Sequence, residues 1–350
     1  MRGYSTAEAQ LLITLSTFAY LDSDPLPGET VANQEARMRR DIDAALADSS
    51  FPDWYVVWGP GLSGNRANML YVAGNARSKQ LAVAIRGTDW SFWLNWLEDF
   101  SNVLPLVPYT DVLPGIPVGS PQIAVGTNVG LQLLLQTTAS SIDGQEMDVT
   151  TFLKTQQHDG DILVTGHSLG GCLASVLASS LAYQFGSASA FKVYTFAGPT
   201  AGNQDFADYY DRLFEGGRSF RVYNDLDIVP MSWAQLPSIA ASYNPAPMSS
   251  ERIKEVVAWA QGIVGQTYVQ PGSIADGSAV LLQGQLTAPS AVPLTPDRGS
   301  LMFFKEVDEQ HATETYMQLL GAPAIPAVLA KLSAVHAGLR KGAAASPNTA

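Results

Sequence analysis

The chain of 350 residues is poor in cysteine, in histidine and in charge. Its one cysteine, Cys172, excludes an internal disulfide and any zinc site built on several thiolates. Its four histidines, His158, His167, His311 and His336, form no H-x-x-x-H pair, so a zincin centre is excluded. Charged residues make up 15%, and 20 Lys and Arg face 32 Asp and Glu, a formal net charge of −12. That balance argues against nucleic acid as a partner and against electrostatic docking on anionic membranes. No cofactor is expected, and the scattered Asp residues, which carry no calcium-loop spacing, leave a structural calcium open. The most apolar N-terminal run, Leu11 to Tyr20, is shorter than the roughly 20 residues that span a bilayer. It also makes a poor signal peptide, with only Arg2 basic before it, Glu8 interrupting, and no small-x-small site after it. The expected location is cytoplasmic, or secreted without a recognisable signal.

What is present is ample apolar matter. Hydrophobic residues are 46%, enough for a large core, and 7 Trp, 13 Phe and 13 Tyr suit contact with neutral apolar material. Ser5-Thr6-Ala7-Glu8 fits a capping box, followed by a helix with Leu11, Leu12, Leu15, Phe18 and Ala19 on one face. A second amphipathic helix runs near Asn33 to Ala47, with Met38, Ile42 and Leu46 at steps of four. Strands are expected at Trp54–Trp58, Asn68–Ala73 and Leu81–Arg86. Leu104 to Pro121 reads as loop, and Pro121 to Thr138 as a helix with Pro in its first turn. From 161 the rhythm is regular: strand Asp161–Thr165, helix Leu169–Phe185, strand Phe191–Phe196, helix Gln204–Phe214, strand Phe220–Tyr223. Such alternation implies a parallel sheet with crossover helices. Ser249 to Val264 reads as a further helix capped by Ser250, Gln270 to Ser300 as loop, and Ala343 to Ala350 as a disordered tail. Residues 1–342 are expected to form a single domain. Gly59-Pro60-Gly61-Leu62-Ser63-Gly64 matches a dinucleotide-binding pattern, but a strand rather than a helix follows it, so a hairpin turn is the better reading.

The strongest chemical signal is Val164-Thr165-Gly166-His167-Ser168-Leu169-Gly170-Gly171. It sets Ser168 in G-x-S-x-G between an apolar strand and a helix rich in small residues. A serine hydroxyl attacks only when a base takes its proton, and a sharp strand-to-helix turn lifts it to where base and substrate can both reach it. The helix N-terminus offers free N–H groups to a developing oxyanion, Leu169 first among them. His167 adjoins Ser168, but consecutive side chains at such a turn diverge, so its ring should point into the fold. Cys172, one helical turn later, reads as a small core residue.

Where a G-x-S-x-G serine sits on such a strand-to-helix turn, the acid follows a later strand and a histidine follows the acid, an order that belongs to this turn and not to the chemistry. Phe220–Tyr223 is that strand, and Asp225 and Asp227 compete in the loop beyond it. His311 and His336 remain for the base. His311 stands at the mouth of a helix running to Leu320, free to reach Ser168, whereas His336 sits among Leu329, Leu332 and Leu339 as a helix residue. His158 is on a polar turn. Trp90-Ser91-Phe92-Trp93-Leu94-Asn95-Trp96-Leu97 is apolar nearly all round as a helix, which fits core packing, or a lid or acyl-chain wall.

These motifs resemble the class 3 lipases, the fungal-lipase-like branch of the α/β-hydrolases. The resemblance runs from about Leu81 to Gly321. It rests on Ile85-Arg86-Gly87-Thr88, Asn95-Trp96-Leu97-Glu98-Asp99, the Ser168 turn, Thr195-Phe196-Ala197-Gly198-Pro199, Gly202-Asn203, Asp227-Ile228-Val229-Pro230 and His311. It implies an α/β-hydrolase fold, with a mostly parallel central sheet, helices on both faces, and a lid-like apolar segment after the oxyanion strand. It favours Asp227 as the acid and His311 as the base, with Tyr316 completing a His-x-x-x-x-Tyr arrangement. It puts Thr88 in the oxyanion hole beside Leu169, with Asp99 orienting Thr88, and the lid near Trp90, Phe92, Trp93 and Trp96. The implied activity is that of a serine carboxylic-ester hydrolase, a triacylglycerol lipase foremost. Its substrate would be a lipid or small-molecule ester, met in transient contact with a lipid–water interface. A short-chain esterase, a phospholipase A1 and a catalytically silent lipid-binding protein are the rival readings. The sequence departs from the family in three ways. Val125-Gly126-Thr127-Asn128-Val129-Gly130 replaces the usual His-x-Gly-Phe, Gln270 to Ser300 reads as an insertion, and the disulfides and export signals of the secreted fungal members are absent.

Overall fold

The fold is seen in a computed structural model that describes residues 3–87, 103–158, 160–239, 241–243, 251–264, 268–287 and 296–331, positions 327 and 329 excepted. Strands β1 (Trp54–Leu62), β2 (Met69–Asn75) and β3 (Leu81–Ile85) open the main sheet. Two small antiparallel pairs follow: β4 (Leu106–Pro108) with β5 (Gln122–Ala124), and β6 (Thr138–Ser140) with β7 (Glu146–Asp148). The main sheet resumes with β8 (Ile162–His167), β9 (Phe191–Phe196), β10 (Ser219–Asn224) and β11 (Ala279–Leu282). Its order is β1-β2-β3-β8-β9-β10-β11, antiparallel across β1, β2 and β3 and parallel from β3 onward. Helices Leu169–Phe185 and Gln204–Leu213 make the crossovers, which places the carboxyl ends of β8 and β10 at one edge. Functional loops of open parallel sheets gather at that edge. Asn203 caps the second crossover helix by accepting from Phe206 N–H.

One face of the sheet packs on helix Leu169–Phe185 through Val83, Val164, Leu173 and Leu177. The other packs on α1 (Thr6–Phe18) and α2 (Val31–Ala47) through Leu12, Leu15, Ile42 and Tyr71. Ser5 Oγ accepts from Glu8 N–H at 3.3 Å, but the capping box is only half made, because Ser5 N–H donates to Tyr194 Oη and the Glu8 carboxylate accepts from Lys192 and Tyr194. The body of α1 is buried all round, not on one face, because the sheet lies on one side and helix Thr313–Leu319 on the other. Its hydroxyls are satisfied locally: Thr14 and Thr17 donate to the carbonyls four residues back, and Ser16 pairs with Thr165 on β8 at 3.1 Å. A third apolar cluster, including Ile228, Trp233, Leu236, Tyr243, Phe303 and Val307, covers the region beyond β10.

The dinucleotide-like stretch at 59–64 runs along β1 into the turn before β2, an antiparallel hairpin. Further expectations change. Leu104 to Pro121 is not all loop, since β4 lies within it. Pro121 precedes β5, and the helix begins only at Val125. The 270–300 stretch is not all loop: β11 supplies the outer parallel strand, and helix Pro296–His311 starts within it. Four apolar residues between Ser278 and Gln283 are too short for a legible period, and pairing with β10 makes them a strand. His311 accordingly ends one helix instead of opening the next, which is Thr313–Leu319. No described helix is long and apolar enough to cross a membrane. The expected tail at 343–350 lies outside the described residues.

Candidate active site

β8 is wholly buried and delivers the chain to Ser168. There the backbone takes φ 61° and ψ −132°, a left-handed conformation rare for a residue with a side chain and costing about 1–3 kcal/mol. Helix Leu169–Phe185 starts at the next residue. The turn is possible because Gly166 and Gly170 lack side chains: a Cβ at 166 would enter the backbone of Gly170, and one at 170 would enter the Ile85 carbonyl. The strain sets the Ser168 hydroxyl off the strand end, where His311 meets it.

Ser168 Oγ lies 2.8 Å from His311 Nε2, and His311 Nδ1 lies 2.8 Å from Asp227 Oδ2. A carboxylate accepts, so Nδ1 carries the proton and Nε2 is left to accept from the serine. Asp227 is 0% exposed, His311 4% and Ser168 9%, so the chain of hydrogen bonds is shielded from water. The geometry fits a Ser-Asp-His triad. Asp227 also accepts from Tyr316 Oη at 2.8 Å and, through Oδ1, from Val229 N–H at 2.9 Å. Burial, and then the Asp227 charge, push the Tyr316 phenol well above its ordinary pKa, so it stays a donor.

Asp225, the other acid considered, is an exposed turn residue whose Oδ1 accepts from Gly284 N–H. His158 closes a turn with the Gly160 carbonyl. His336, the rival base, lies outside the described residues, as do Thr88, Asp99, Trp90, Phe92, Trp93 and Trp96. The structure therefore does not describe the second oxyanion position or the lid-like segment. Leu169 is described and opens its helix, so its N–H has no intrahelical acceptor. Cys172 is buried beside Thr127, and burial pushes its thiol up to about 12, which suits a core residue and not a nucleophile.

The hold on the helix that ends at His311 is not legible in the sequence. Asn224, at the end of β10, donates through Nδ2 to Gln310 O and Oε1 and through its N–H to Tyr316 Oη. Gln310 Nε2 donates to Glu306, and Glu306 accepts from both the N–H and the hydroxyl of Thr287. This network ties the last turn of helix Pro296–His311 to the acid-bearing strand. Buried Asn, Gln and Glu at positions 224, 310 and 306 were the only sequence signal for it, and local patterning cannot tell them from solvated residues.

Residues 82–236 match the family model described as Lipase (class 3). Over this segment the chain is similar to the class 3 lipases. It holds Ser168 and Asp227, and the fold brings His311 to them from beyond it. A lipase of Caenorhabditis elegans is 28% identical over 230 residues, 65% of this chain and 55% of its own length. The secreted mono- and diacylglycerol lipase 1 of Fusarium solani is 28% identical over 173 residues, 49% of this chain and 44% of its own. The chain thus spans about half the length of the curated relatives it matches. The solved structure of M37 lipase is 25% identical with a TM-score of 0.74, covering 91% of this chain and 93% of that one. The class 3 lipase resemblance and the α/β-hydrolase fold therefore agree.

Proposed function

We propose that the chain is a serine carboxylic-ester hydrolase of lipase type, acting on long-chain acylglycerols through an acyl-enzyme. The observation that carries this reading is the unbroken buried path from Ser168 Oγ through His311 to Asp227, two contacts of 2.8 Å each. In the first half-reaction His311 Nε2 takes the serine proton as Oγ attacks the ester carbonyl carbon. Negative charge on the carbonyl oxygen meets the Leu169 N–H, with Thr88 as the second donor of the proposed oxyanion hole. His311 returns its proton to the leaving alcohol, the C–O bond breaks, and the acyl group remains on Ser168. Water, deprotonated by the same imidazole, then releases the fatty acid. Asp227 holds the tautomer and stabilises the imidazolium.

Long-chain substrates are favoured by the apolar runs that follow the oxyanion strand in the sequence, Trp90 to Leu97 and Leu104 to Pro117. The test is a turnover profile across acyl lengths, soluble short esters against emulsified long-chain glycerides, for wild type and Ser168→Ala. Turnover should rise above the solubility limit of the substrate and vanish in the variant. Turnover confined to soluble short esters would replace the acylglycerol reading with an esterase, and unimpaired Ser168→Ala would end the mechanism.

A further inference from the structure

The last carbonyls of an α-helix have no partner within the helix. His311 is the final residue of its helix, and its carbonyl is met by the ring of His167, with Nε2 at 2.8 Å. A carbonyl can only accept, so the proton of His167 sits on Nε2 and Nδ1 presents a lone pair. Tyr20 Oη lies 3.2 Å from that Nδ1 and 3.2 Å from the His167 carbonyl. The His167 and His311 rings lie 4.7 Å apart between centroids, and the Tyr316 ring packs edge-on to His167 at 5.5 Å. One buried imidazole thus holds the catalytic histidine both through its backbone oxygen and against its ring.

Resting on the hydrolase reading above, we propose that His167 and Tyr20 are positioning residues that fix the base His311 relative to the nucleophile. The same residue that ends β8 and precedes Ser168 grips the carbonyl of His311, so nucleophile and base share one frame independently of the bond between them. Tyr20 follows α1, which is itself fixed at both ends of this frame. Ser16 pairs with Thr165 on β8, and Gln10 Nε2 donates to the Leu320 and Gly321 carbonyls just beyond helix Thr313–Leu319. Through Tyr20 the N-terminal helix, which precedes the matched segment, becomes part of the support of the catalytic centre. Around the His167 ring stand His311, Tyr20 and Tyr316, with no carboxylate bonded to it among the described residues. Burial, and then the charge of His311, hold its pKa well below the ordinary value, so the ring is neutral near pH 7 and adds no repulsion when His311 becomes an imidazolium in the transition state.

The test compares His167→Asn, His167→Gln, Tyr20→Phe and the double variants with wild type, on a soluble ester and by the rate of fluorophosphonate labelling. Gln places an N–H donor where Nε2 stands, and Asn does not. His167→Asn should lower kcat about 10- to 100-fold, the cost of a small displacement of a reacting group, with KM within about twofold. Labelling should fall by the same factor, and His167→Gln should recover most of the loss. Tyr20→Phe should lower kcat in wild type and have little further effect in His167→Asn, the mark of residues acting as a unit. Wild-type kcat in His167→Asn or in Tyr20→Phe would overturn the pair while leaving the hydrolase reading intact. So would equal, additive losses in all variants that track a lower Tm. If His167→Asn does not fold, the milder Tyr20→Phe carries the decision. A wild-type protein without Ser168-dependent labelling would instead overturn the hydrolase reading, and this role with it.

Discussion

Tyr316 donates its hydroxyl to Oδ2 of Asp227 at 2.8 Å, the same oxygen that accepts the Nδ1–H of His311. With Val229 N–H on Oδ1, the fully buried carboxylate is held by three donors. Such an arrangement keeps an isolated charge tolerable in the interior and fixes the plane in which the imidazole must lie.

Removing the phenol oxygen separates support from chemistry. Tyr316→Phe takes one donor from Asp227 and leaves Asn224 N–H without its acceptor, at a cost of about 1–3 kcal/mol in stability. The expected kcat loss is about tenfold, from a carboxylate that keeps its other two donors. Asp227→Asn should lose about 10⁴-fold with the fold intact, since the tautomer of His311 is then wrong. Steady-state kinetics and thermal melts measure both. A Tyr316→Phe enzyme as slow as Asp227→Asn would assign the phenol a larger part than support.

The nucleophile turn depends on close backbone approach. Gly170→Ala would drive a Cβ into the backbone at Ile85, Arg86 and Gly87, where nothing flexible can move aside. A destabilisation of about 3 kcal/mol or more is expected, with lost Ser168 labelling in whatever remains folded. Gly64→Ala meets open space and should change stability by less than about 0.5 kcal/mol. Denaturant melts of the two variants decide the matter, and a neutral Gly170→Ala would refute the packing at this turn.

Acid should weaken the fold through His167. Burial, and then the charge of His311, hold its pKa well below the ordinary 6.5. Below that ordinary value the unfolded chain takes up a proton that the folded chain refuses. The stabilisation from a neutral His167 is therefore complete above about pH 6.5 and is lost as the pH falls below it, by up to about 1.4 kcal/mol per unit. Asp43 and Asp211, raised chiefly by burial, act in the opposite sense nearer the carboxylate range, and they are common to every variant. Tm measured from pH 8 to pH 5 should fall more steeply for wild type than for His167→Gln. Parallel curves would refute the assignment.

The turn at Ser168 was readable from the sequence because its signal is local. A glycine-flanked serine between an apolar strand and a small-residue helix allows few other structures, and helix Leu169–Phe185 and strand Phe191–Phe196 begin and end where the pattern places them. The order serine, acid, histidine was likewise plain. By the residues alone Asp225 and Asp227 remained rivals, because both follow the same strand, and two residues apart they differ only in which way the loop turns them. Resemblance favoured Asp227, and the fold buries it while Asp225 faces solvent. β11 and the start of the base helix escaped because four apolar residues beside glycines have no period to betray them.

The sequence by itself determined the turn at Ser168 and the parallel rhythm that carries it. These follow from spacing within a few residues, where sterics and hydrophobic period act directly. Only the tertiary structure decided that His311 closes a helix, that His167 grips its carbonyl, and that Tyr20 stands behind both. Those partners lie 143, 144 and 147 residues apart along the chain, and no local preference reports a contact that exists only once the sheet is assembled.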